Sequence, residues 1–507
     1  MFLYALQYLV GYPSWTLDEL KGYASPKDNG YETICHGHPE RQIPGVEVTT
    51  GPLGQGIANA VGLAIASKNL AAKFNKPSLR VVKSRIYCMT GDGCLMEGIA
   101  LEAISLAGSL GLDNLVLIYD NNAVTCDGPL DWINTEDVNG KFRASGWYVL
   151  DVLDGNYDVS GITTAFEEAK SLHGKPTMIN IRTVIGLGTK AAGTFKAHHG
   201  AIDAESIGQA KSLAGQDPST THMLPVSVLA YFRERVEHGK ELEAQWNKLV
   251  AEHERLFPEL AAELNQRSLG EGSREKGLNL LRSLDSVQPA KMATRESNGE
   301  ILSQLWRAGG SLFGGGADLV NSCKFSYTVD NVFHPSCGFS GRYVRYGIRE
   351  HAMAGISNGI AAYSPGTFLP ITATFFMFYL YVSNLNTGIF LSTAVTSCSY
   401  CSATGCTKCS HGRSQRSSGD PSCDTRLFRR RPERTNTPGG RVGLVVPCNA
   451  EFVLHSTMRC RGSDWGVDAC AGQRECADDA LPRERPSWNS CAGHRSKQSW
   501  AGGVRHS

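Results

Sequence analysis

Two short apolar runs constrain this chain more than anything else in it. RIYCMT (85–90) and NLVLIYD (114–120) are too short for buried helices and too apolar for loops. One stretch at helical spacing, EGIALEAISLAGSLGL, separates them. Strand, helix and strand joined by short links form a parallel unit, so the expected fold class is α/β with a parallel sheet. TMINIRTVIG (177–186) reads as a further strand. Residues 226–265 carry amphipathic helices rich in Glu, Lys and Arg, suited to a surface connection. A Gly/Ser/Arg/Glu-rich link follows at 268–276, and a second α/β pattern runs from Met292 to about Tyr381. The organisation expected is a first module over 1–225, a helical connection and linker over 226–290, a partial second module over 291–382, and a tail over 383–507.

The strand ends carry the chemistry. GDG (91–93) closes the first strand, and Asn121 and Asn122 close the next, with 27 residues between Gly93 and Asn121. Adjacent parallel strands would set Asp92 beside Asn122 at the carboxyl edge, where open α/β sheets bind ligands. Glycines on both sides of Asp92 let backbone approach a phosphate. An oxygen-only pair suits Mg2+ or Ca2+, with diphosphate oxygens and water completing the shell. A helix starting near Glu97 would point its amino end at the same place and favour anionic oxygens. A lone GDG is usually only a turn; the NN pair after the next strand makes a metal and diphosphate site the better reading.

Six motifs occur in a fixed order: GHPE (37–40), GVEVTTGPLGQG (45–56), MTGDGCLMEG (89–98), YDNN (119–122), TVIGLG (183–188) and HHGA (198–201). In this order they resemble transketolases and the related dihydroxyacetone synthases, over roughly residues 1–381. The resemblance implies a thiamin diphosphate-binding fold made of a diphosphate module and a pyrimidine module. It further implies Asp92, Asn122 and the Val124 carbonyl as metal ligands, and Gly51, Leu53, Gly93, Glu97, Asn122 and Ile185 as cofactor contacts. His38 and His199 become active-site histidines near the reacting carbon and the substrate hydroxyls, a place where a group titrating near neutrality is useful.

MATRESNGEIL (292–302), GGADLVNS (315–322) and RYGIREHAMAGISNGIAAY (345–363) are similar to the pyrimidine-binding module. By that resemblance Glu350 bonds the aminopyrimidine nitrogen and favours the form that removes the proton from the thiazolium carbon, while the cofactor carries the carbanion chemistry. The plainer alternative is an ion pair between Glu350 and Arg349. Phe375, Phe378 and Tyr381 correspond to an aromatic pocket for the pyrimidine, and Asp318 to a cofactor-side position. Arg295 and Ser322 correspond to a sugar-phosphate site; an arginine fork can take two phosphate oxygens. GADLVNSC departs from the family's usual wording around Ser322. The family builds its site between modules of different subunits, so a homodimer is implied.

Past Tyr381 the pattern breaks. Ten of the sixteen cysteines and fifteen arginines against two lysines fall after residue 397, with almost no apolar periodicity. Shifted by one base, the codons available to residues 424–438 permit THDSFAEGQNGPTHQ, a run of family type. The tail is therefore expected to be family DNA read out of frame, after a retained intron near 382–400, and to be disordered. Cys398, Cys401, Cys406 and Cys409 form CxxC-x4-CxxC, a zinc pattern at face value. Out-of-frame cysteines have no reason to bind metal. The start also reads as truncated relative to the family.

The remaining composition is that of a globular protein: 507 residues, 41% hydrophobic and 20% charged, with a net charge of +1. Nothing argues for nucleic acid or membrane partners. The apolar stretch 371–382 is too short to span a bilayer, and the start lacks the marks of a signal peptide. The expected reaction is transfer of a two-carbon ketol unit from a ketose phosphate such as xylulose 5-phosphate, as in the pentose phosphate pathway. The acceptor is an aldose phosphate or formaldehyde; MTGDGCLMEG and KAHHG lean toward formaldehyde. The cytoplasm is the expected compartment, or the peroxisome for the formaldehyde branch. The alternative is an inactive remnant partnering an intact subunit.

Overall fold

The computed structural model describes residues 2–23, 33–198, 202–269, 279, 282, 292–309, 311–325, 331–375 and 393–397. The chain divides into Met1–Arg459 and Cys460–Ser507, and every described residue belongs to the first unit.

The first sheet is parallel throughout. It holds β1 (Ile86–Gly91), β2 (Leu115–Asn121), β3 (Tyr148–Val152) and β4 (Thr177–Arg182) in the order β1-β2-β4-β3. In register, Gly91 lies opposite Asp120 and Asn121 opposite Arg182, so all three strands release their chains at one edge. The strand interiors bury Leu115, Val116, Leu117, Met178 and Ile179, which is why they read as continuous apolar runs.

Helix α1 (Gln55–Phe74) packs behind this sheet. It is rich in alanine, the best helix former, and it is buried on most of its circumference, so it carries no clean apolar stripe. The helix expected to start near Glu97 is α3 (Gly98–Ser109), with Glu97 extended at φ −68° and ψ 132° as its N-cap, and a separate short helix, α2 (Asp92–Met96), precedes it. Helix α4 (Val159–Ser171) follows β3, and α5 (Val226–Leu256) with α6 (Pro258–Leu269) form the helical connection.

The second module repeats the logic. Helix α7 (Thr294–Arg307) leads into a parallel sheet of β5 (Leu312–Gly316), β6 (Tyr343–Arg345), β7 (Leu369–Phe375) and β8 (Thr393–Ser397), in the order β6-β5-β7-β8. Helix α8 (Glu350–Ala362) precedes β7. Thr393–Ser397 pairs in parallel with Ile371–Phe375, so the second sheet extends past 382. The run TAVTS is rich in β-branched residues and meets a strand whose centre is buried, which favours pairing over a free tail. The other residues after 375 lie outside the described residues.

The modules share a core. Ile57, Val61, Ala64 and Leu117 of the first cluster with Phe313, Tyr346, Ile356 and Ile360 of the second. Where α1 crosses α8, a β-carbon on Gly62 would overlap the Ile356 carbonyl, and one on Gly359 the Asn59 carbonyl. The two backbones touch there because neither residue has a side chain.

Candidate active site

Asp92 is the first residue of α2, one step past the end of β1, and only 5% exposed. Its Oδ1 accepts a hydrogen bond from the Tyr119 hydroxyl at the tip of β2. The Ala123 backbone N–H also donates to this carboxylate. Oδ2 is buried and has no hydrogen-bond partner. Burial raises the carboxyl above its ordinary range; the Tyr119 bond opposes this and neighbouring Asp120 adds to it. Burial and the Asp92 bond likewise hold the Tyr119 phenol protonated. An ionised oxygen sealed from water without a partner is costly unless a cation meets it.

The next strand tip supplies matching oxygens. Asn122 forms an Asx turn, its Oδ1 accepting from the Val124 N–H at 3.0 Å. Ala123 sits at φ +57°, a left-handed position that folds the chain back toward Asp92. The Asn122 amide oxygen keeps a second lone pair, and the Val124 carbonyl receives no hydrogen bond among the described residues. Asp92, Asn122 and Val124 thus offer three oxygen acceptors around one turn, the donor set a hard divalent cation prefers. Among the described residues no cluster of three His, Cys, Asp or Glu could hold a metal.

The glycine-rich loop before α1 faces the same turn. The His38 ring lies against Gly51, where a β-carbon would stand 3.3 Å from Cγ. Leu53, half exposed, reaches Gly93. Gly54 takes φ +79°, and a β-carbon there would meet Glu97 at 2.6 Å, so both its backbone angle and its neighbour require glycine. Ile185 follows β4 on a segment tied to β2 by the Thr183 hydroxyl bonded to Asp120. His38 thus meets Gly51, Leu53 meets Gly93 and Gly54 meets Glu97, while Ile185 follows the strand beside β2. His199 lies outside the described residues. A separate cleft of about 880 Å3 beside Gly188 and Leu213 contains none of the expected residues.

In the second module Glu350 opens α8, and its carboxylate lies 3.5 Å from the Thr374 hydroxyl on β7, one residue before Phe375. The expected alternative pairing with Arg349 is not made. That guanidinium donates to the Tyr346 carbonyl at 2.9 Å and to the Ser105 hydroxyl at 3.1 Å. Glu102 of α3 accepts from the Ala352 N–H at 2.9 Å, capping the helix that carries Glu350. Arg295 lies in the first turn of α7 and Ser322 in the short helix Val320–Cys323; the two helices approach where Gly299 meets Lys324. Asp318 is exposed at φ +62° just past β5. Phe378 and Tyr381 lie outside the described residues, as do Cys398, Cys401, Cys406 and Cys409.

Sequence reasoning overlooks Tyr119 and Glu102. Tyr119 reads as one more apolar residue of NLVLIYD; its place two residues before NN is the only signal. Glu102 sits on a helix that looks merely amphipathic, and its partner is 250 positions away.

Residues 1–272 match the thiamine diphosphate binding domain of transketolase, and residues 290–422 the transketolase pyrimidine binding domain. The second match runs past the point at which the recognisable motifs stop. The chain is 44% identical over 393 residues to dihydroxyacetone synthase of Pichia angusta, covering 76% of this chain and 54% of that protein. It is 41% identical over 388 residues to transketolase 1 of Saccharomyces cerevisiae, covering 75% and 55%. Transketolase from Leishmania mexicana superposes with a TM-score of 0.70 at 39% identity, covering 75% of this chain and 55% of that one. The chain spans about half the length of the curated relatives it matches. The fold and the matched domains define a two-module α/β protein of the thiamin diphosphate-binding class. Within that class, the chain belongs to the transketolase family. Among the described residues no helix is long and apolar enough to cross a membrane.

Proposed function

We propose that this chain supplies the cofactor-binding part of a transketolase-type enzyme that transfers a two-carbon ketol unit from a ketose phosphate to an aldehyde, working as a homodimer. The observation that carries this reading is the partnerless Oδ2 of buried Asp92, set beside the Asn122 turn and the open Val124 carbonyl. These three oxygens would hold Mg2+ or Ca2+, and the ion would bind the diphosphate of the cofactor. Thiamin diphosphate, when bound, supplies the electron sink that lets a carbon–carbon bond beside a carbonyl break.

The chain's own residues do the rest. Gly51, Leu53, Gly93 and Ile185 shape the wall against the cofactor, and Glu97 braces the loop through Gly54. His38, exposed over Gly51, would exchange a proton with a substrate hydroxyl, and His199 shares that role by its motif. Glu350 holds a proton on the pyrimidine nitrogen, with Thr374 fixing its carboxylate and Phe375, Phe378 and Tyr381 forming the aromatic wall. Asp318 stands on the cofactor side. Arg295 and Ser322 take the substrate phosphate, in keeping with a Pichia stipitis transketolase structure solved with sedoheptulose 7-phosphate. Identity of 44% and 45% to two dihydroxyacetone synthases, against 41% to transketolase 1, favours formaldehyde as acceptor.

Calorimetric titration of thiamin diphosphate with and without Mg2+ tests the site. Binding should require the metal and weaken about 100-fold in Asp92→Ala, a loss typical of metal-site lesions. Equal binding in the presence of a chelator sinks the reading. Ketol transfer from xylulose 5-phosphate to formaldehyde or to ribose 5-phosphate then decides the acceptor.

A further inference from the structure

A cavity of about 600 Å3 opens on the first sheet at the edge opposite Asp92. Its walls come from residues that enter the strands. Arg85 precedes β1, Asp113 precedes β2, His173 stands ahead of β4, and Lys68 lies on the carboxyl half of α1. Six residues of β1 separate this edge from the strand-tip site, roughly 20 Å at about 3.3 Å per residue.

The walls carry an excess of positive charge. Lys68, Arg80, Lys83 and Arg85 line the cavity with His173, against the single carboxylate of Asp113. That carboxylate is already committed: Lys68 pairs with one oxygen, and the Gly174 N–H donates to the other at 3.0 Å. Arg85 donates to the Ala169 and Lys170 carbonyls at 2.8 and 3.0 Å, which orients its fork and leaves its charge uncompensated. Arg80, Lys83 and His173 make no side-chain hydrogen bond or ion pair among the described residues. The carboxyl end of α1 adds about half a negative charge. Against Asp113 and that dipole, four permanent cations still dominate.

The segment presenting Arg80 and Lys83 is held in place. Asn75 donates to the Val82 carbonyl at 2.7 Å and accepts from the Val82 N–H at 2.9 Å. The Trp246 indole N–H donates to the Val81 carbonyl at 2.9 Å. This fixes the backbone that presents Arg80 and Lys83, so a ligand has only their side chains to order.

We propose that this cavity binds a small phosphorylated anion, with Arg80 and Lys83 on the phosphate and Arg85 and His173 beside it. A guanidinium fork takes two phosphate oxygens, and a cavity of this size admits a ligand between a sugar phosphate and a nucleotide. A cavity of about 600 Å3 on a chain of net charge +1 suits a small ligand better than a nucleic acid strand. The site is independent of the thiamin diphosphate reading and would stand if that reading fell.

The test is calorimetric titration of inorganic pyrophosphate into the full chain, with a chelator present and ionic strength fixed by chloride. Three proteins are compared: wild type, the Arg80→Gln/Lys83→Gln double variant, and Asp92→Ala. Saturable binding is expected in wild type and Asp92→Ala, at least tenfold weaker in the double variant. Both substituted side chains are exposed, so the double variant should keep the wild-type melting midpoint. Undiminished binding in the double variant overturns the proposal, as does equal weakening by Asp92→Ala. Non-saturable binding that chloride removes would mean an adventitious ion only, and would overturn it too. Repeating the titration with ribose 5-phosphate and inorganic phosphate separates the sources: tighter binding of the former marks a phosphorylated sugar, equal binding the phosphate group alone.

Discussion

Asp113 and Asp92 are two aspartates at opposite ends of one sheet, and burial treats them alike while their partners do not. Burial pushes the Asp113 carboxyl up, but the Lys68 ammonium and the Gly174 N–H outweigh it and hold the group below its ordinary value. A carboxyl depressed in the folded state stabilises the protein above its unfolded value, near pH 3.9, and that stability fades as pH falls through the folded value. Asp113→Asn should therefore cost about 1–3 kcal/mol at pH 7, the range for a largely buried charged hydrogen bond. The gap to wild type should close below about pH 4. Urea denaturation at pH 3, 5 and 7 checks this; a gap independent of pH would assign the loss to packing. Asp92 makes no ion pair among the described residues, Arg182 acting on it only weakly against burial, and its Oδ2 is left without a partner. Of these two, only Asp92 was legible in the sequence, because GDG and NN announce it. Asp113 lies in GLDNL, which looks like an ordinary turn, and Lys68 is 45 positions distant.

At the scale of elements, legibility followed burial and spacing. RIYCMT and NLVLIYD place β1 and β2 to within one residue. β2 lies between two strands and is buried along most of its length, so it has to be apolar, whereas β1 is an edge strand with Tyr87 and Met89 exposed and reads as a strand from its compact β-rich run. β3 escaped notice because YVLDV is short and ends in mixed polarity. α1 also escaped, because Ala and Gly blur any stripe. Its glycines become intelligible only in three dimensions, as the seam with α8. Gly62→Ala should destabilise the protein by about 3 kcal/mol, near the upper end for an overpacked site, because the obstruction is backbone and cannot turn aside. Gly98→Ala, where a β-carbon meets nothing within 4 Å, is the matched control and should fall within about 1 kcal/mol of wild type. Equal losses in the two variants would remove the seam as the cause.

For the whole molecule, two domain matches in family order account for residues 1–272 and 290–422, while the relatives run to nearly twice the matched length. The expectation of a foreign tail rests on the sequence alone: past Tyr381 the family's wording disappears, and after residue 397 cysteine and arginine accumulate. What the sequence could not show was β8, since five residues reveal a strand only beside a partner. Genomic and transcript sequencing across codons 375–460 should reveal THDSFAEGQNGPTHQ one base away from the frame translated here. A single continuous exon whose shifted frame encodes no such run would refute the reading-frame account.

The α1–α8 seam also bears on inheritance. Because the bare backbones of Gly62 and Gly359 press on carbonyls of the opposite helix, neither half can drift in sequence without the other's consent. A chimaera that took its first 270 residues from one relative and the remainder from another would assemble only if both parents left the same notches vacant. An exchange of segments that separates this pair of glycines should therefore lower stability, while one at a surface loop should cost little.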